Sequence, residues 1–240
     1  MAEQEVIKHS RKMLKIMGNK NFTFWQKLKE FVTEIIIIVI AITLSIWFHN
    51  RSEHRHEQTQ VKEFLTGLKE DLMADIDDAK SSLDTYQKYK LLYSYLGNLD
   101  RNKKPNQDSL KLALSYLESY NLFRVHKSRF TGFLSAGKIL TIENSTLTQD
   151  ILDYYQEIVP ALETSEEDWI GQHKALVNFV TDNCKDFKND LDLWQTLTEP
   201  KAKYLSTHLI PWPQIIDRYT QVIKKAEKMA NTINRTYPDK

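Results

Sequence analysis

The sequence predicts an all-α protein in which an N-terminal transmembrane helix continues into a bundle of further helices. Turn residues are scarce, with 6 Gly and 6 Pro among 240 residues, and this favours long helices over many short strands. The stretch Phe31–Phe48 is almost wholly apolar. Farther along the chain, apolar residues recur at three- and four-residue steps, the spacing of a helix face that packs against neighbours.

The apolar stretch, FVTEIIIIVIAITLSIWF, contains one charged residue, Glu34. As a helix it would be roughly 27 Å long, close to the hydrocarbon thickness of a bilayer. Aromatic residues stand at both ends, among them Trp25 and Trp47, as is typical of the two membrane interfaces. A buried core helix rarely contains four consecutive isoleucines, and a cleaved signal peptide would be shorter. We therefore expect an uncleaved membrane anchor over 23–48.

Basic residues predict the orientation of this anchor. Those before it are Lys8, Arg11, Lys12, Lys15, Lys20, Lys27 and Lys29. Residues 49–68 contain Arg51, Arg55 and Lys62. The excess predicts a cytoplasmic N-terminus. Residues 1–22 would form a basic tail, either disordered or with an interfacial helix, and residues 49–240 a periplasmic helical domain in a Gram-negative inner membrane.

Within the span, Glu34 shares a helix face with Ala41 and Ser45, whose small side chains allow close helix contact. A carboxylate in a spanning helix is costly and often functional. These three residues are therefore the predicted intramembrane contact face. The alternative is an interfacial carboxylate that pairs with Lys27 or Lys29. We expect those two lysines, with Trp25 and Trp47, to anchor the helix ends at the interfaces.

After the membrane, we expect one long helix that continues to Gly97. Its predicted apolar face consists of Val61, Leu65, Leu68, Leu72, Ile76, Ala79, Leu83, Tyr86 and Tyr93. The composition of 100–108 predicts a loop, and 109–120 a second helix. The run Glu70–Asp78 is rich in acidic residues, and helical spacing favours a solvated face for them.

A third helix is predicted from Ser128, as its N-cap, to about Ala136, with a left-handed Gly137 after it. The next helix is expected to begin with a capping box of Thr146 and Gln149, and Pro160 to kink or interrupt it.

Glu166, Glu167 and Asp168 are interpreted as the acidic first turn of a helix after Ser165. Residues 186–213 look irregular, with short helical turns. The final helix, 214–235, is predicted to bury Ile215, Tyr219, Val222, Ile223, Ala226, Ala230 and Ile233.

Gly132, Gly137 and Lys138 have the G-x-x-x-x-G-K spacing of a phosphate-binding loop. However, Ile139 occupies the position where such loops carry Ser or Thr, and no apolar strand precedes them. We therefore expect no nucleotide binding. His49, Glu53 and His56 share a helix face and could suit a metal or sense pH, but they are too spread out to close readily on one ion.

The balance of charges, the cysteine count and the absence of known motifs limit the kinds of function that we expect of this protein. The 33 basic and 32 acidic residues nearly cancel, which argues against nucleic-acid binding. Cys184 is the single cysteine, so no intrachain disulfide can form. No catalytic or cofactor motif occurs. We expect a non-enzymatic interaction or scaffold subunit without cofactor, with the bilayer and a protein partner or a second copy as its contacts. The alternatives are a ligand-sensing bundle and, less favoured, an envelope enzyme.

Three blocks of the chain resemble a family of single-pass membrane proteins of Gram-negative bacteria that has no assigned activity. The blocks are TEIIIIVIAITLSIWFHNRSE, EFLTGLKEDLMADI and FLSAGKILTIENSTLTQDILDYYQ. The sequence departs from the family at Thr33, where Gly is common, and at Ser45, Phe48 and His49, where a polar exit is usual. The resemblance implies the topology and the helical architecture and no activity.

Overall fold

A computed structural model describes residues 24–103, 106–118 and 120–238, and these residues form helices and loops without a strand. The chain divides into two compact units, Met1–Gln60 and Val61–Lys240. The helices are α1 (Phe24–Gly97), α2 (Gln107–Glu118), α3 (Ser128–Ser135), α4 (Ser145–Asp153), α5 (Val159–Asn183), α6 (Asp190–Leu197), α7 (Pro200–His208) and α8 (Pro213–Thr236). The all-α prediction is confirmed for the described residues. The predicted interfacial helix within 1–22 lies outside them.

Helix α1 is continuous over its 74 residues, as the sequence predicts. Its N-terminal part is long and apolar enough to cross a membrane, and among the described residues it is the one helix that meets this criterion. In the first unit the apolar side chains of this part are exposed rather than packed. They include Leu28, Phe31, Val32, Ile35, Ile36, Ile37, Val39, Ile40, Ile42, Leu44 and Ile46.

In the second unit, the core is built on the later part of α1. Almost all of the predicted apolar face from Val61 to Tyr93 is buried, and Leu83 is partly buried against it. Helix α8 buries every residue predicted for it, and also Met229. A pair of lysines, Lys225 and Lys228, holds α8 to α4, since each bonds to Asp150 at 2.6 Å. The recurrence of apolar residues at three- and four-residue steps in α1 and α8 therefore correctly predicted which face of each helix is buried.

Gly67 lies in the middle of α1 because another side chain needs its space. A Cβ atom at this position would lie 2.2 Å from the guanidinium of Arg129. Arg129 Nε in turn donates to Asp71 Oδ2 at 2.9 Å. The glycine therefore leaves room for the Arg129 guanidinium beside α1, at the cost of some helix propensity.

The helix is interrupted before Pro160, as predicted, by one turn of π-helix, here called the π-turn. Helix α4 ends at Asp153, the π-turn covers Tyr154–Ile158, and α5 begins at Val159. The N–H group of Val159 donates to the carbonyl of Tyr154, five residues back. The proline then stands in the first turn of α5, where a missing N–H group costs least.

Two predicted helix caps are wrong. Lys127 precedes α3 without a side-chain hydrogen bond, and Ser128 is already inside the helix. At α4 the cap is Asn144, whose Oδ1 accepts from the N–H of Leu147 at 3.0 Å. Thr146 is within the helix, so the capping box with Gln149 does not form. The capping side chain satisfies a free helix N–H group, and asparagine one residue before Ser145 is placed to do so.

Residues 186–213, predicted to be irregular, contain two short helices. Asn189 caps α6 by accepting from Leu191. Pro200 opens α7, and Pro213 opens α8. Proline suits these positions because its φ is already helical and its missing N–H group is not needed there.

Gly137 has the predicted left-handed conformation, with φ of +70°. Substitution with alanine is expected to destabilise the protein by about 1–2 kcal/mol, since a Cβ atom is disfavoured in this conformation. The matched control is Gly132→Ala in α3, which is expected to stabilise by up to about 1 kcal/mol. Nothing lies within 4 Å of a Cβ atom at either glycine. Urea unfolding that ranks the two variants the other way would contradict the assignment.

Candidate functional site

The most polar part of the core surrounds an extended segment, residues 120–127, here called the strap. The strap joins α2 to α3 and is not helical. Backbone N–H and C=O groups that leave water need partners, and a strand has no neighbouring strand here to supply them. Buried side chains of the helices supply several of these bonds instead.

Asp75 of α1 holds the C-terminal end of the strap. Its Oδ1 accepts from the backbone N–H of His126 at 2.9 Å and from His126 Nδ1 at 2.7 Å. Its Oδ2 accepts from the hydroxyl of Tyr154 at 3.2 Å. Tyr155 donates to the carbonyl of His126 at 3.3 Å. Strap, α1 and the π-turn therefore meet at one carboxyl group.

The Asp75 side chain is 0% exposed, and the sequence-based interpretation of Glu70–Asp78 as a wholly solvated face is wrong at this residue. Burial raises the pKa of Asp75, and the hydrogen bonds from His126 and Tyr154 partly offset this rise. The hydrogen bond to Asp75 raises the pKa of His126, against a smaller effect of burial.

Because Nδ1 of His126 is bound to Asp75, its Nε2 is the nitrogen left for another contact. A histidine oriented by a carboxylate in this way is the arrangement of a general base or of a metal ligand. In the described residues, however, no three His, Cys, Asp or Glu side chains are placed to hold a metal ion. The same carboxyl group accepts from the backbone N–H of His126, so the pair Asp75–His126 anchors the strap.

Glu166 holds the middle of the strap. Its Oε1 accepts from the backbone N–H of Phe123 at 3.2 Å and from the hydroxyl of Tyr219 in α8. The prediction that Glu166 belongs to a solvated first helix turn is wrong, because α5 begins at Val159 and Glu166 is buried within it. Burial raises the pKa of Glu166 to about 7, although the bonds from Tyr219 and Phe123 oppose the rise.

The raised pKa of Glu166 predicts a loss of stability as pH rises. Below pH 4.5, the model-compound value, the folded and unfolded forms are both protonated. Between pH 4.5 and about pH 7, Glu166 keeps its proton in the folded form and loses it in the unfolded form. The free energy of unfolding therefore falls by roughly 3 kcal/mol over this interval. Glu166→Gln is expected to remove this decline, as measured by urea unfolding of the full chain in detergent.

The control for this prediction is Glu167→Gln, which changes an exposed carboxylate at the next position. Its pH dependence should match that of the unsubstituted chain. If Glu166→Gln retained the full decline between pH 4.5 and 7, the buried carboxyl of Glu166 would not be its source.

Trp169 lies at the centre of an aromatic cluster beside this carboxyl group. Its ring stacks on Tyr89 and His173 and meets Tyr86 and Tyr93 edge-on. The indole N–H donates to the carbonyl of Leu209 at 3.0 Å. Stacked and edge-on rings add to the burial energy of such a cluster, so α1, α5 and the C-terminal end of α7 are joined through one tryptophan.

An open and mostly apolar groove lies between α1 and α2. It has a volume of about 310 Å³. Its lining residues are Lys88, Leu91, Leu92, Tyr95, Ser109, Leu112 and Tyr116. Leu91 is 75% exposed and Leu112 is 51% exposed. Two large apolar side chains beside one depression form a surface that a partner could cover.

The predicted intramembrane residues Glu34, Ala41 and Ser45 all lie in α1, seven and then four residues apart. At 100° per residue they share one helix face, as expected. The side chain of Glu34 is buried, and those of Ala41 and Ser45 are exposed. Their role as a contact face stays a prediction.

The predicted interfacial anchors flank the same part of the helix. Trp25 and Trp47 are exposed, and Arg51 lies over the Trp47 ring at 5.4 Å. Lys29 is also exposed, and the side chain of Lys27 lies outside the described residues. The anchoring role of these four residues likewise stays a prediction.

The other motifs form no site in the described residues. Gly132 lies inside α3, and Lys138 begins a short 3₁₀ turn, Lys138–Thr141, so the spacing of a phosphate loop occurs without its geometry. Leu140, within this turn, is 81% exposed. His49 pairs weakly with Glu53 at 3.8 Å on the exposed helix surface.

Sequence reasoning missed Asp75, His126, Glu166 and Tyr154 as a polar network, although a signal for the two carboxylates exists. Asp75 stands three residues after Leu72 and four before Ala79, on the apolar face of α1. Glu166 stands likewise between Leu162 and Trp169 in α5. A carboxylate at a core position of a helix indicates a buried partner.

A scan against protein-family models, a search of curated proteins and a search of solved structures each found no match to this chain. The expected family resemblance therefore has no support from these comparisons, and the function has to be argued from the residues.

Proposed function

We propose that this chain is a non-enzymatic, membrane-anchored interaction subunit of a cell-envelope complex. Residues 23–48 cross the inner membrane, residues 1–22 lie in the cytoplasm, and residues 49–240 form a periplasmic helical domain. A protein partner, or a second copy of the chain, binds to it both within the membrane and on the helical domain.

One observation carries the membrane part of this proposal. Nearly all large apolar side chains of α1 from Leu28 to Phe48 are exposed, whereas most of those of the same helix from Val61 onward are buried in a core. Burial of each large apolar side chain is worth about 1.5–3 kcal/mol, so a helix with this many exposed ones needs an apolar solvent. The excess of basic residues before the span supports the cytoplasmic N-terminus.

Two surfaces support the interaction part. The first is the face of Glu34, Ala41 and Ser45, where small side chains would allow a second helix to approach. The second is the groove between α1 and α2, with Leu91 and Leu112 exposed beside it. An apolar groove with a basic residue at its rim, Lys88, suits a protein segment better than a polar substrate.

Topology and partner binding are tested separately. An alkaline phosphatase reporter fused after Lys240 should be active, as expected in the periplasm, and a fluorescent protein at the same place should be dark. For the partner, the full chain is purified in detergent from native membranes, and co-purifying proteins are measured by quantitative mass spectrometry. Two double variants are compared with the unsubstituted chain. The groove variant combines Leu91→Asp with Leu112→Asp, and the intramembrane variant combines Ala41→Leu with Ser45→Leu.

The groove variant should lose the partner, or the self-association, that the unsubstituted chain shows. Leu140→Asp is the matched control, since it replaces another highly exposed leucine away from the groove. Recovery of a lone monomer at every expression level would contradict the interaction function. A cytosolic reporter would contradict the topology.

A further inference from the structure

The strap, residues 120–127, is held to the core by side chains that can change charge. Asp75 accepts from His126 N–H, Glu166 from Phe123 N–H, and the Tyr89 hydroxyl from Asn121 N–H at 3.3 Å. Asn121 also donates from its side chain to Ser82 of α1 at 3.3 Å. The His126 ring also bonds to Asp75, the Tyr155 hydroxyl donates to the His126 carbonyl, and Lys127 pairs with Glu163. Apolar contacts, chiefly those of Phe123, add to these bonds.

Glu166 differs from Asp75 because, among the residues that the structure describes, no basic side chain pairs with it. From α8 it meets the Tyr219 hydroxyl, from α1 the ring of Tyr86, and from its own helix the carboxylate of Glu163. The basic groups nearby are engaged elsewhere. Arg218 donates to Ala161 O at 2.7 Å and to Ser165, and Lys127 pairs with Glu163 at 3.6 Å. Within the described part of the chain, a negative charge on Glu166 therefore has no counter-ion.

The bonds from Tyr219 and Phe123 stabilise an ionised carboxylate in this position only in part, because burial is the larger effect on its pKa, and access of water would stabilise it further. Helices α5 and α8 cannot move aside without breaking their packing around Trp169 and Tyr219. The strap has no helical hydrogen bonds to lose and borders bulk water on its outer side, where Asn121, Arg124 and Lys127 are exposed. It is the element that can open at the least cost.

We propose that the strap is a pH-operated latch, closed over Glu166 while this residue is protonated and opened locally when the proton leaves. Opening would release Phe123 from the core and expose the side of α1 around Ser82 and Tyr86. The two states differ by one proton, a few hydrogen bonds and the packing of Phe123, so the change is reversible and local to the strap and the residues that it covers. This inference stands independently of the membrane-anchored interaction function.

Hydrogen–deuterium exchange of the full chain in detergent tests the latch. After correction for the pH dependence of the chemical exchange rate, protection of strap amides is expected to fall about tenfold from pH 6 to pH 8. Amides of α8 around Val222 should keep their protection over the same interval. In Glu166→Gln the strap should show no such change, and in Glu167→Gln, which changes an exposed carboxylate, it should behave as in the unsubstituted chain.

A strap whose corrected protection is the same at both pH values would overturn the proposal. So would a fall in strap protection that Glu166→Gln shares, or one that α8 shows in parallel, since the latter is global unfolding. The comparison of strap and α8 peptides in the unsubstituted chain decides the question even if Glu166→Gln does not fold.

Discussion

Arginine at both Val39 and Ile40 is expected to abolish stable membrane insertion of the full chain. The two residues lie near the middle of the apolar part of α1, and both are exposed. Each arginine at the centre of a spanning helix adds about 2.5–3.5 kcal/mol, so the pair adds about 5–7 kcal/mol. This is comparable to the whole favourable contribution of the remaining apolar residues. Carbonate extraction of isolated membranes, followed by immunoblotting, measures the change.

The matched control replaces the same residues with leucine, which preserves the apolar surface and the helix. It should stay in the carbonate-resistant membrane fraction together with the unsubstituted chain. If the double arginine variant also stayed there, the apolar part of α1 would not be what holds the chain to the membrane, and the proposed anchor would have to be abandoned.

Asp75→Ala is expected to destabilise the second unit by about 3–5 kcal/mol, the largest effect of any single polar substitution in this chain. The carboxyl is 0% exposed and accepts from His126 N–H, His126 Nδ1 and Tyr154. Its removal leaves buried donors without an acceptor, and each such group costs about 1–3 kcal/mol. Thermal unfolding of the full chain in detergent, followed by circular dichroism at 222 nm, measures the effect at about pH 7.

Asp77→Ala tests whether the loss of stability in Asp75→Ala comes from the burial of Asp75 or only from its place among the acidic residues of Glu70–Asp78. Asp77 is exposed and only two residues away, so its loss should change stability by no more than about 0.5 kcal/mol. Asp75→Asn keeps one acceptor oxygen and should fall between the two alanine variants. Equal stabilities of the two alanine variants would mean that Asp75 does not organise the strap.

These two predictions depend on different kinds of information. The anchor was predicted from the sequence, because membrane insertion sums the hydropathy of consecutive residues in one helix, and α1 does contain a helix long and apolar enough to span a membrane. Three other features were predicted for the same reason: the continuation of α1 to Gly97, the core faces of α1 and α8, and the break at Pro160. The spacing of apolar residues and the effect of a proline each depend on residues close together in the chain.

Helix ends were predicted less well. Ser128 and Thr146 are reasonable capping residues, but Lys127 precedes α3 without a cap bond and Asn144 caps α4. Several polar residues near a helix start can each serve as a cap, and the packing of the helix selects among them. The left-handed Gly137 was predicted correctly because the conformation depends on the glycine itself.

The amino-acid sequence by itself determined the helical class, the apolar span and the faces of α1 and α8, because each follows from residues within a few turns of one another. Only the tertiary structure decided the strap and its anchors. Asp75 and His126 are 51 positions apart, and Glu166 and Tyr219 are 53 positions apart. The environment that neutralises a carboxylate, or raises its pKa, is created by neighbours distant in the chain, and a local pattern of charges does not reveal it.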